Sequence, residues 1–225
     1  MSIESEVKKK ILEITYKYKQ VHLSSTLSSV EPLIDIFRKK KRHEKFVLSN
    51  GHAGIALYAV LEKFYGADAE ALYKTNYIHP NRGPYIDCST GSLGHGISIA
   101  LGMALSDRNK NVYCLLSDGE MAEGSVWEAL RIMSEQKVYN LKLYFNFNGY
   151  SALGTTDIEV LVKRINTFID PEFTYKFVDC VNIYYTDNGY SFLKGVSGHY
   201  HRITSEEYES AMYGFAGKVG MGKKI

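Results

Sequence analysis

The 225 residues carry 45% hydrophobic and 23% charged side chains and a formal net charge of +2. Such a chain can bury a sizeable core in one α/β domain, and so small a charge gives no electrostatic case for nucleic-acid or membrane binding. Three widely spaced cysteines, Cys88, Cys114 and Cys180, form neither a disulfide framework nor a zinc pattern and read as buried thiols of a reducing compartment. No signal-peptide core or bilayer-length apolar run is visible, so a cytoplasmic location is expected.

Glu4–Gln20 has Val7, Ile11, Ile14 and Tyr18 at three- and four-residue steps, the stripe of an amphipathic helix. Residues 21–29, rich in serine, read as a break, and a second helix is expected over Glu31–Phe37. The basic run Phe37–His43 reads as a solvated loop; it lacks the interleaved aromatics of a nucleic-acid patch. Lys45 begins a strand that ends in the turn Ser49-Asn50-Gly51-His52-Ala53, followed by a helix through Phe64. His79-Pro80 lies in a polar loop. Asp87–Gly96 is glycine-rich and opens a helix over Ile97–Ser106. Its small residues Ala100, Gly102 and Ala104 suit close packing, either in the core or against another subunit.

Val112–Leu116 and Leu141–Phe145 are short apolar runs, β-branched or aromatic, that read as strands. A helical pattern over Ser125–Ser134 joins them into a βαβ unit of parallel strands. The polar segments that follow each strand, Ser117-Asp118-Gly119-Glu120 and Asn146-Phe147-Asn148-Gly149-Tyr150, then meet at the carboxyl ends of the sheet, where open α/β sheets bind ligands. Farther on, Ile158–Phe168 reads as a helix ended by Pro171, and Val178–Tyr185 as a strand. Ser205–Phe215 reads as a closing helix with Ser205 as its N-cap. A single domain over 1–215 and a flexible basic tail over 216–225 are expected.

The Asp118 carboxylate, the Asn148 side-chain carbonyl and the Tyr150 main-chain carbonyl are hard oxygen donors of the kind Mg²⁺ prefers. Gly119 lets a phosphate approach its N–H at the helix entrance. An EF-hand is excluded, because its spaced aspartates are absent. Asp118 and Asn148 are also ordinary turn formers, and each alone reads that way.

Asp118-Gly119-Glu120 through Glu123-Gly124, Trp127-Glu128-Ala129 and Asn148-Gly149 together resemble the thiamine diphosphate motif of transketolases, in particular the N-terminal chain of split, two-chain members. Ser49–Ala53, His79-Pro80 and Thr90-Gly-Ser-Leu-Gly-His-Gly96 resemble three further motifs of that family. The sequence departs at Ser117, usually Gly, at Phe147, usually acidic or polar, at Ile78, usually Gly, and around His22, where the flanking Gly and Pro are missing.

The resemblance implies an α/β thiamine diphosphate-binding fold, a mostly parallel sheet with helices on both faces. It implies Mg²⁺ on Asp118, Asn148 and the Tyr150 carbonyl, and the diphosphate on His52 and Gly119. Gly91 and Leu93 would line the cofactor rings. His22, His79 and His201 would face substrate, with His199 the competing candidate for the last. Glu123 is either a solvated charge near a helix N-terminus or, by the resemblance, a carboxylate reaching a partner's cofactor-activating glutamate. The implied reaction transfers a two-carbon ketol unit between sugars or sugar phosphates. A second domain is then needed from a separate pyrimidine-binding chain, paired in a heterotetramer. A subunit of a 2-oxo acid decarboxylase or dehydrogenase, or a non-catalytic binding subunit, are the competing readings.

Overall fold

The computed structural model describes residues 2–168 and 179–217. The tail from 218 onward and Pro171 lie outside the described residues, as does the expected strand start at Val178.

Four strands form the main sheet: β1 (Lys45–Leu48), β2 (Val112–Ser117), β3 (Leu141–Phe147) and, after a second two-stranded sheet, β6 (Val181–Tyr185). All pair in parallel in the order β1-β2-β3-β6. Because side chains alternate across a strand, each strand feeds two cores. Leu48, Tyr113, Leu115 and Tyr144 join one. Val47, Cys114, Leu116, Leu143 and Phe145 join the other. The fully buried strands explain why their sequences are continuous apolar runs rather than alternating ones.

One face is covered by α6 (His95–Ser106), α7 (Gly124–Glu135) and α8 (Ile158–Phe168). These are the helices that return the chain from β1 to β2, β2 to β3 and β3 to β6. The other face carries α1 (Ile3–Lys17), α3 (Val30–Lys39), α4 (Gly54–Tyr65) and the closing helix α9 (Ser205–Gly217). The expected layering of helices on both faces is therefore observed. Cys88, Cys114 and Cys180 are all free, with Cys88 half-buried and the other two buried. No helix among the described residues is long and apolar enough to cross a membrane.

Two local expectations are corrected, and two elements appear for which none was made. Residues 21–29 are not a plain break: Leu23–Ser28 form a short buried helix, α2. Its hydroxyls bond backward, Thr26 Oγ1 to the His22 carbonyl (2.8 Å) and Ser28 and Ser29 Oγ to the Ser25 carbonyl (3.1 and 2.8 Å), so polar side chains are buried without orphaned donors. A helix not anticipated, α5 (Ala69–Asn76), starts where the Asp68 carboxylate accepts the Ala71 N–H (3.0 Å). A small hairpin, β4 (Tyr150–Ser151) with β5 (Gly154–Thr155), follows Asn148. Finally, Thr204 rather than Ser205 caps α9: the Glu207 N–H donates to Thr204 Oγ1 (3.2 Å) and the Thr204 N–H to the Glu207 carboxylate (2.9 Å), a reciprocal capping box.

Arg38 and Lys39 occupy the last turn of α3, where cations suit the helix dipole. The rest of the basic run is largely exposed, as expected, although Lys40 lies over the Phe37 and Tyr65 rings.

Candidate active site

The carboxyl ends of β1, β2 and β3 open into a cavity of about 270 Å³. Within these four strands the order has no reversal, so no switch point creates it. The crevice lies instead between α2 with the 196–199 turn on one side and the β2–α7 connection with the β4–β5 hairpin on the other.

Asp118 ends β2, almost fully buried. One carboxylate oxygen accepts the Gly149 N–H and the Thr156 hydroxyl, each at 2.8 Å, and the other accepts the Gly119 N–H at 3.1 Å. Burial pushes its acidity toward higher pH, and these hydrogen bonds pull it back. A carboxylate offers about four lone-pair sites, so these three bonds leave acceptor capacity at the cavity. Asn148 Oδ1 accepts the Tyr150 N–H (2.9 Å) and retains a second lone pair. Asp118, Asn148 and Tyr150 all line the cavity. Among the described residues no three His, Cys, Asp or Glu side chains gather as a metal cluster; a cation here would rest on this mixed oxygen set.

Gly119 does not sit at the entrance of α7 as expected. A 3₁₀ turn, Gly119–Ala122, intervenes, and α7 begins at Gly124. A Cβ on Gly119 would meet Ser151 Cβ at 3.3 Å, so the hairpin closes over this glycine. Glu123 occupies the N-cap position of α7, exposed at the cavity mouth, with no capping bond of its own.

The glycine-rich loop is tied to this frame by Glu120, a fully buried carboxylate. It accepts from Ser49 Oγ (2.5 Å) after β1, from the Gly94 N–H (3.0 Å) before α6 and from the Ser117 N–H (3.0 Å) in β2. Burial raises its pKa, opposed by the same donors. Thr90 Oγ1 adds a bond to the Leu48 carbonyl (2.6 Å). Gly91 and Leu93 thereby reach the cavity, with the His79 ring lying against Gly91.

Four imidazoles converge. The rings of His22 and His199 are 4.6 Å apart, His22 and His52 5.2 Å, and His52 and His199 5.7 Å; His79 lines the same cavity. The His22 N–H donates to the His199 carbonyl (3.0 Å), tying α2 to the 196–199 turn. Burial lowers the His22 pKa to about 4 and that of His52 to about 3, and mutual repulsion adds to both. Burial also lowers those of His79 and His199. All four shifts favour the neutral imidazole.

The fold does not bring His201 to this cavity. Its Nε2 lies 2.7 Å from the Glu207 carboxylate, at the capping box of α9, and its ring packs on Phe192. His199, the competing candidate, occupies the cavity wall. The sequence reading assigned no role to several other lining residues, Ser25, Asn50, Asn146, Ser151 and Tyr200, nor to Thr156 or the Glu120 brace. Asn50 lies two residues past β1 within the Ser49–Ala53 motif, and Asn146 is the penultimate residue of β3; those positions are the signals that point to them.

The four-stranded parallel sheet with helices on both faces, carrying an aspartate after β2 and an asparagine after β3, has the thiamine diphosphate-binding fold. The profile of the transketolase thiamine diphosphate binding domain matches residues 36–170. The chain belongs to the transketolase family. It is 30% identical to one of the subunits of the apulose-4-phosphate transketolase of Phocaeicola vulgatus, over 94% of this chain and 92% of that one. It is 40% identical to human transketolase over 58% of this chain, but spans only 22% of that protein. In fold it is similar to a transketolase variant from Pichia stipitis in complex with fructose 6-phosphate (TM-score 0.80, 19% identity, 96% of this chain and 41% of that one) and to the transketolase of Leishmania mexicana (TM-score 0.75, 18% identity, 96% and 41%).

Proposed function

We propose that this chain is the diphosphate-binding subunit of a two-chain transketolase-like enzyme, which transfers a two-carbon ketol unit from a ketose to an aldehyde or ketone acceptor. The observation that carries the reading is convergence: Asp118, Asn148, His52, His79, Gly91 and Leu93 come from separate loops and line one cavity.

The residues suit the implied groups. Asp118, Asn148 and the Tyr150 carbonyl would hold Mg²⁺, because they are hard oxygen donors with lone pairs to spare. Thiamine diphosphate, when bound, supplies a carbanion nucleophile and an electron sink for carbon–carbon cleavage. His52 would hydrogen-bond the diphosphate. His22, His79 and, in place of His201, His199 would meet substrate oxygens. As neutral imidazoles they can donate from one nitrogen and accept at the other, and so can hold or move a proton. Gly91 and Leu93 would lie against the cofactor rings, and Glu123 would face the partner.

The partner would be a separate pyrimidine-binding chain in a heterotetramer. Two observations support it. The relative matched over nearly its whole length is itself one subunit of a larger enzyme. The hairpin tip at the cavity mouth leaves Leu153 90% exposed, an apolar rim that a partner would cover.

Calorimetric titration of thiamine diphosphate with Mg²⁺ into the chain, alone and with the product of the adjoining reading frame, tests the reading. Metal-dependent binding that tightens with the partner and disappears in Asp118→Ala is the expected result. Absence of binding under both conditions refutes it.

A further inference from the structure

Asn50 is fully buried and lines the cavity, yet its Oδ1 has no hydrogen-bond partner. The surrounding network fixes which end of this amide faces the cavity. A serine hydroxyl has one proton, and Ser29 gives its proton to the Ser25 carbonyl (2.8 Å). Toward Asn50 Nδ2 (3.2 Å) and Asn146 Nδ2 (3.3 Å) Ser29 Oγ can then only accept. Both amides must turn their N–H₂ groups to it. The Asn146 carbonyl is satisfied by the Thr186 hydroxyl. The Asn50 carbonyl receives no donor from the fold, and turning the amide over would set it against the lone pairs of Ser29. Buried acceptors without donors are rare in native proteins. His22 Nδ1, on the same cavity, is also buried and unpartnered.

We propose that Asn50 is a specificity-determining residue whose Oδ1 accepts a hydrogen bond from a hydroxyl group of a sugar phosphate bound in this cavity. A fully ionised phosphate or sulfate oxygen has no proton to give and is repelled by the carbonyl. A hydroxyl can donate to Asn50 and, where it reaches His22, also accept from or donate to the ring. The proposal rests on the ligand reading of the cavity given above and adds the chemical group that the wall opposite Asp118 selects.

The test is a calorimetric comparison of fructose 6-phosphate with inorganic sulfate, an anion without a proton near neutral pH, titrated into the full-length chain without thiamine diphosphate, for the wild type, Asn50→Ala and Ser29→Ala. Ser29 braces the amide but does not line the cavity. The ratio of affinities, sugar phosphate over sulfate, should fall about tenfold in Asn50→Ala, the worth of one hydrogen bond. Ser29→Ala removes the hydroxyl that orients the amide and should lower the ratio by no more than Asn50→Ala does. The proposal is overturned by an unchanged ratio in Asn50→Ala, by a larger fall in Ser29→Ala than in Asn50→Ala, or by a wild type with no preference for the sugar phosphate. If Asn50→Ala does not fold, wild-type titrations with the monodeoxy fructose 6-phosphates decide instead. One of them must bind about tenfold more weakly, and equal affinities across the set overturn the proposal. Failure of thiamine diphosphate to bind would remove the cofactor reading and leave these ratios untouched.

Discussion

Two glycines of α6 should respond in opposite directions to the same substitution. Gly94, its N-cap, has φ +76°, and a Cβ there would come within 2.5 Å of Ser125 Oγ and 2.7 Å of Glu123 Cβ. Gly94→Ala therefore incurs a left-handed penalty of about 1–2 kcal/mol and an overpacking penalty of about 1–3 kcal/mol, roughly 2–5 kcal/mol together. For a chain of this size each kcal/mol moves the melting temperature by about 2–4 °C, so a drop of roughly 4–20 °C is expected. Gly102 lies within the same helix on its exposed side, and nothing stands within 4 Å of its Cβ position. Gly102→Ala should stabilise by about 0.5–1 kcal/mol, because alanine loses less backbone entropy in a helix. The assay is thermal and urea unfolding of the chain alone, followed by phosphate titration. Gly94→Ala should also weaken phosphate binding, since the clash displaces the Glu123 segment and the Leu93 turn from the cavity. A Gly94→Ala melting temperature within about 2 °C of wild type would refute the close apposition of the glycine-rich loop and the β2–α7 connection on which the site is built.

Glu120→Gln should flatten the stability–pH profile above about pH 4.5. Burial raises the Glu120 pKa, so its contribution is fully present below the unfolded value and is lost as pH rises through the folded one; parallel urea-unfolding profiles for wild type and variant from pH 4 to 8 would contradict this. Phosphate binding should take up protons, because an anion favours charged imidazoles in a cluster whose pKa values are depressed, to about 4 for His22 and about 3 for His52. Affinity should then rise as pH falls toward these values, and calorimetry with sulfate, which does not titrate there, in two buffers of different ionisation enthalpy measures the uptake directly; zero uptake or release refutes it. His199→Asn should weaken phosphate or thiamine diphosphate binding by about tenfold, one hydrogen bond, whereas His201→Asn should leave it within twofold, and the reverse order would restore His201 to the site.

The two central strands were legible because they are buried on both faces almost throughout. Val112–Leu116 and Leu141–Phe145 are too short for helices and too apolar for loops, and β3 only ran on to Phe147. What failed locally failed for a common reason. The serines and threonine of 23–29 are poor helix formers, and their sequence reads as a turn until the His22 and Ser25 carbonyls are seen to accept their hydroxyls. The hairpin after Asn148 and the helix after Asp68 are short and carry little periodicity. The histidine exchange was beyond sequence: His199 and His201 stand two residues apart in a loop with no regular period. A capping box six residues downstream of His201 decides which ring is tied up.

The legible half of the site and the illegible half differ in how they are held. Asp118 and Asn148 follow buried strands, and strand ends set their positions, so motif and geometry coincide. The opposite wall is held by a polar network whose members are far apart in sequence: Asn146 with Ser28, Thr186 with Asn146, Asn188 with Ser24. No local pattern announces such a network, because each residue taken alone is an ordinary turn or cap former. Yet this network leaves one carbonyl unpaired inside the cavity. The frame thus supplies oxygen donors for a cation on one side and a demand for a hydroxyl donor on the other. Leu153, at the tip of the β4–β5 hairpin, lies open to solvent. Covering it, as the proposed partner would, would expel water and strengthen these polar contacts in the lower dielectric.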